Sequence, residues 1–192
     1  MRKGYRQVVA DKQITSSKSF NDFLYGWLVL RAKEENDERV IWKKDFVYSQ
    51  FEEELNMTRK TIAKYFNWLV DKGLVIDVGD KWVIRDLGEK GFWIEDNVLE
   101  RLISLKKRYV ISVYAYLVRG YWISNKKRFV VLLRNAKEFV GIGVNSDSNN
   151  YLVTDCFEEF REMGLMNCQL WFDRESGKRF YCVDGVGRNN YF

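Results

Sequence analysis

The chain has 192 residues, of which 46% are hydrophobic and 16% aromatic, enough to fill a packed core and too many for a disordered chain. Its 32 basic and 27 acidic residues leave a net charge of +5, which mildly favours an anionic partner. Histidine is absent, which excludes Ser-His-Asp and Cys-His catalysis and every metal site that needs imidazole.

Residues 1–18, opening "MRKGYRQVVADKQ", read as a basic arm or an early strand. Phe20, Phe23, Leu24, Trp27, Leu28 and Leu30 then recur at helical spacing and predict a helix over 19–33. "ENDE" breaks that pattern, and "RVIW" at 39–42 reads as a short strand. "FVYSQFEEELN" at 46–56 predicts a second helix ending near Asn56. Thr58 is a good N-cap for a third helix, whose last turn closes at Gly73. Val75 to Val78 and Trp82 to Ile84 flank Gly79-Asp80-Lys81, a hairpin signal.

"GEKG" at 88–91 reads as a linker, after which the pattern returns. Helices are predicted at 97–105, 108–123, 135–143 and 151–166, and a strand at 128–133. A final hairpin spans 168–183, turning at Glu175-Ser176-Gly177. Shifting the chain by 91 residues superposes the two third helices: Ile62 meets Val153, Phe66 meets Phe157, Leu69 meets Phe160, and Gly73-Leu74 meets Gly164-Leu165. Helix, strand, helix, helix, hairpin is the order of a winged helix-turn-helix. The expected fold is therefore α+β with two tandem winged-helix domains, at 19–88 and 92–186, between the arm at 1–18 and a tail at 187–192.

The first third helix places Ile62, Phe66 and Leu69 on one side and Lys60, Lys64, Asn67 and Asp71 on the other, flanked by Thr61 and Trp68. A helix fits the major groove of B-DNA, where Lys donates to guanine acceptors or to phosphate and Asn bridges adenine N6 and N7. Base contacts come mainly from the N-terminal half of such a helix, which selects Arg59, Lys60, Thr61 and Lys64, with Asn67 a turn further on. The first wing offers Lys81 and Arg85 among Asp77, Asp80 and Asp86. The second third helix points Tyr151, Asp155, Glu158 and Glu162 outward, so phosphate repels it. Its wing carries Arg174, Lys178 and Arg179, and a loop carries Lys126, Lys127 and Arg128. These six cations suit phosphate contacts, which position a protein without specifying sequence. Arg2, Lys3 and Arg6 would let the arm enter a minor groove.

Other signals carry less. Cys156, Cys168 and Cys182 are odd in number with no CxxC spacing, which points to reduced thiols in a cytoplasmic protein. "GIGVNS" at 141–146 lacks the strand, glycine turn and helix of a nucleotide loop. Glu52, Glu53 and Glu54 are consecutive on a helix and do not converge on a metal. Trp27, Tyr114 and Tyr116 lie on apolar helical faces and read as core, whereas Trp68, Trp122 and Trp171 are open to a stacking role. No activating constellation for catalysis, no cofactor loop, no signal core and no membrane span is evident.

"TRKTIAKYFNWLVDKGLV" with its hairpin resembles the helix-three-and-wing segment of winged-helix DNA-binding proteins. "GFWIEDNVLERLISLKKRYVISVYAYLVRGYW" resembles a stretch of plasmid replication initiators and phage replisome organisers of Gram-positive hosts, in which a short helix precedes a "vYxYL"-type helix, here "VYAYL" at 113–117. The resemblance extends over roughly 17–185. It implies a non-enzymatic protein that binds repeated origin DNA as duplex, often as a homodimer, and recruits replication proteins of the host. A transcriptional regulator on a promoter operator and a winged-helix protein-interaction module are the alternatives the residues leave open.

Overall fold

The computed structural model describes residues 5–9, 21–87, 92–125, 127–145, 147–172, 174–175 and 179–186. They form a mixed α+β protein whose chain divides into two compact units, Met1–Ile111 and Ser112–Phe192. The division falls just inside a helix, and residues 92–111 belong with the first unit, where the sequence expectation begins a second domain at 92.

The first unit is built around α1 (Asp22–Arg31), whose residues Asp22 to Val29 are all buried. The Asn21 side chain caps it by accepting the Leu24 N–H at 2.7 Å. Next come β2 (Lys33–Glu35), β3 (Glu38–Trp42), α2 (Tyr48–Leu55), α3 (Arg59–Asp71), β4 (Val75–Asp77) and β5 (Lys81–Ile84). The four strands form an antiparallel sheet in the order β2-β3-β5-β4. A separate pair joins β1 (Tyr5–Val9) to β6 (Phe92–Glu95), and α4 (Asp96–Ser104) follows and packs on α1.

One of these features differs from the sequence expectation, and a second decides between the arm and the early strand expected at the N-terminus. "ENDE" does more than interrupt a helix: Asn36 and Asp37 have φ of 51° and 64° and turn β2 into β3. Positive φ at both central residues is the two-residue hairpin geometry that Asn and Asp tolerate. Residues 5–9 are a paired strand, and Arg6 donates to Glu34 at 2.8 Å and forms an ion pair with Asp96 at 3.2 Å, with its side chain 15% exposed. Arg6 is thereby withdrawn from any minor-groove arm. Arg2, Lys3, the linker at 88–91 and the tail at 187–192 lie outside the described residues.

The second unit runs α5 (Val110–Ile123), β7 (Phe129–Val131), α6 (Leu133–Phe139), α7 (Tyr151–Glu162), β8 (Met166–Phe172) and β9 (Arg179–Val186). Its antiparallel sheet has the order β7-β9-β8. In both units the last strand before the two consecutive helices pairs with the second strand of the hairpin that follows them, β3 with β5 and β7 with β9. Expected and observed ends differ. The predicted strand at 128–133 stops at Val131 because the Leu132 carbonyl already accepts the first helical bond of α6, from Ala136 at 3.0 Å. The Val153, Phe157 and Phe160 stripe of α7 is buried, and Phe160 meets Tyr114 edge-on at 5.4 Å. Among the described residues no helix is long and apolar enough to cross a membrane.

Candidate nucleic-acid interface

Helix α3 starts where its sequence says it should. Thr58 is extended, and its hydroxyl accepts the Thr61 N–H at 3.4 Å. The Glu52 carboxylate accepts the Arg59 N–H, satisfying another of the donors that a helix start leaves open. The helix ends at Gly73, φ +68°, whose N–H bonds the Val70 carbonyl at 2.9 Å. Ile62, Tyr65 and Leu69 are buried, each contributing about 1.5–3 kcal/mol of apolar burial. Phe66, expected in that stripe, is half-buried and lies edge-on to Trp82 at 4.9 Å, so Tyr65 takes the deeper place.

The opposite face presents Arg59, Lys60, Lys64, Asn67 and Asp71, all exposed. The Arg59 guanidinium lies 4.5 Å from the Tyr48 ring centroid, and the Lys64 ammonium 5.8 Å from that of Tyr65. Among the described residues no carboxylate lies within ion-pair distance of the Arg59, Lys60 or Lys64 side chain. Thr61 differs from the expectation of a base contact: it is half-buried, and its hydroxyl is 3.0 Å from that of Thr58, inside the cap.

Several other cations of the first unit are paired, whereas Lys44, Lys72 and Arg85 have no carboxylate partner among the described residues. Arg31 pairs with Glu54, Lys33 with Asp45, Arg39 with Asp86 and Lys43 with Asp77. In the β4–β5 hairpin, Lys81 sits 3.9 Å from Glu35 and 5.4 Å from the Trp42 ring, with a side chain 26% exposed. It opens β5 directly after the turn, with its side chain lying toward β2 and β3 of the same sheet. Arg85 is exposed after β5, and its carbonyl accepts the Tyr25 hydroxyl at 2.6 Å. The turn between β4 and β5 is flanked by Asp77 and carries Asp80. Hydrogen bonds from Lys43 and from the Gly79 N–H hold the Asp77 carboxyl below the usual range. The structure thus gathers Arg59, Lys60, Lys64 and Asn67 on one face but does not add Lys81 to them.

In the second unit Tyr151, Asp155, Glu158 and Glu162 are exposed on α7, so its outward face is acidic. Arg128 bonds Asp184 at 2.7 Å and lies 4.2 Å from the Trp171 centroid, which commits it locally. Lys127 and Arg174 are exposed. Lys126, Lys178 and the Arg179 side chain lie outside the described residues.

Comparison with protein-family models, with curated proteins and with solved structures finds no match to this chain. Function is therefore argued from the chain's own geometry.

Two residues that the sequence analysis passed over stand beside α2 and α3. Lys106 donates to the Glu53 carbonyl at 3.1 Å, and the Arg108 guanidinium lies 5.1 Å from the Tyr65 ring centroid. Their only local signal is the run "KKR" at 106–108 between two helices. Among the described residues no group of three Cys, Asp or Glu side chains is arranged to hold a metal ion.

Proposed function

We propose that this protein is a sequence-specific, double-stranded DNA-binding protein without catalytic activity, built from two winged helix-turn-helix units, with α3 as its base-reading helix. The observation that carries this is the state of the α3 cations. Arg59, Lys60 and Lys64 are exposed and their side chains have no carboxylate partner among the described residues, on a helix whose other side is buried. An exposed, unneutralised cationic stripe on a rigid helix is what phosphate attraction and major-groove donors require. Asn67 adds the amide that pairs with an adenine edge. The helix, strand, helix, helix, hairpin core common to the two units, with strand orders β3-β5-β4 and β7-β9-β8, supports the winged-helix reading.

The acidic outward face of α7 makes the second unit a poor groove reader, which assigns it to contacts with protein, either a second copy or a replication factor of the host. The resemblance at 57–75 and 91–122 favours initiation of plasmid or phage replication on origin repeats, in the cytoplasm. Regulation of a promoter would use the same binding chemistry.

Selection of bound fragments from a random duplex library tests the proposal. It predicts an enriched motif, and affinity for that motif that falls steeply with salt as counterions are released. Iterated copies of the motif at an origin support the replication role, and a palindrome at a promoter supports regulation. Failure to enrich any duplex at low salt contradicts the proposal.

A further inference from the structure

Lys106 has φ +54° and ends α4, its N–H bonding the Ile103 carbonyl at 3.0 Å. Its ammonium reaches the Glu53 carbonyl, which also accepts the Asn56 N–H at 3.3 Å, in the last turn of α2 at the negative end of that helix. Two residues on, the Arg108 guanidinium sits 5.1 Å from the Tyr65 centroid and 5.0 Å from that of Tyr109. Tyr65 is buried in α3, so its ring is a fixed shelf, and Lys64 lies over the same ring at 5.8 Å. Arg108 is exposed, and no carboxylate pairs with it among the described residues.

This contrasts with Arg6 and Arg39, which ion pairs consume. A guanidinium held near aromatic rings rather than by a carboxylate keeps its donors free for an anion. It is also fork-shaped, matching two oxygens of one phosphate. The turn is tied at Lys106 to α2 and at Arg108 to α3, the two helices of the helix-turn-helix.

We infer that Arg108, held beside α3 by the Lys106 turn and the Tyr65 ring, binds the phosphate backbone of the duplex and so sets how α3 lies on it. The inference rests on the proposed function and adds a sequence-independent contact to it. Arg108 fixes orientation, and the α3 side chains supply the discrimination.

The test titrates wild type, Arg108→Gln and Arg108→Lys against the selected duplex and a scrambled duplex over a range of salt. Arg108→Gln is expected to weaken both complexes by a similar factor and to make the plot of log K against log salt shallower by about one unit, as one fewer neutralised phosphate requires. Arg108→Lys restores most of the slope. An unchanged slope in Arg108→Gln, or a weakening confined to the selected duplex, overturns the inference while leaving the proposed function standing. Wild-type protein that binds neither duplex instead overturns the proposed function. Should Arg108→Gln unfold at a lower temperature, phenylglyoxal modification of wild type decides: the inference requires either duplex to protect Arg108, and modification at the free rate in the complex contradicts it.

Discussion

The Arg59 guanidinium lies 4.5 Å from the centroid of the Tyr48 ring, so the first side chain of α3 is braced by the first residue of α2. Tyr48 is 40% exposed, and the contact is a surface one. Cation–π pairs at exposed sites contribute about 0.5–1 kcal/mol. Tyr48→Ala is therefore expected to weaken duplex binding by about two- to five-fold, a range that corresponds to that energy. Tyr48→Phe keeps the ring and is expected to bind as wild type does. Fluorescence anisotropy against the selected duplex makes the comparison.

Gly73 and Gly164 close α3 and α7 with φ of +68° and +64°, and a Cβ at either would meet no atom within 4 Å. The cost of a side chain there is conformational rather than steric, on the order of 1–2 kcal/mol. Gly73→Ala and Gly164→Ala are each expected to destabilise the protein by that amount in denaturant titrations. Asn, which tolerates the left-handed region, should cost less at either position.

These helix ends were legible in the sequence because they are local. Thr58, Gly73 and the apolar spacing between them suffice to define α3. The β1–β6 pair was not legible, because "FWIE" at 92–95 finds its partner at residues 5–9, far away in the chain. The Asn36-Asp37 turn carried a usable signal, two residues that accept positive φ between short β-type runs, but the charged strand "KEE" masked it. Within the site, the cationic face of α3 followed from helical period. The commitments of Thr61 to the cap, Lys81 to Glu35 and Arg128 to Asp184 did not, because each depends on which side chain lies opposite. Arg108 was missed for the same reason, its shelf being supplied by Tyr65.

Cys156, Cys168 and Cys182 are all buried. Burial, aided by Asp184 and opposed by Arg161, pushes the Cys168 thiol up to about 12, and burial also raises Cys182. A thiol held protonated and covered is a poor nucleophile. Native protein at neutral pH is expected to resist iodoacetamide, and unfolded protein to take up three labels, as mass spectrometry would read.

Burial raises the Glu54 carboxyl, but hydrogen bonds from Trp27, Arg31 and Gln50 and the charge of Arg31 more than offset it, leaving the group below the usual glutamate range. A carboxyl depressed in the folded state stabilises it above the unfolded value, and that stability is lost as pH falls through the folded one. The unfolding temperature of wild type is expected to drop with acidification below the ordinary glutamate value. Glu54→Gln should start lower at neutral pH and show a weaker drop over the same window.

The measurement that bears most directly on the account is the affinity of Lys60→Ala/Lys64→Ala for the duplex that wild type selects. Both lysines are exposed and without a carboxylate partner among the described residues, so the exchange is expected to leave thermal unfolding nearly unchanged. A lysine that touches a base is expected to cost about 1–3 kcal/mol of binding when replaced, and one that touches a phosphate to flatten the salt dependence by about one unit. A folded double variant that binds that duplex with wild-type affinity and wild-type salt dependence would contradict the assignment of α3 as the DNA-reading helix.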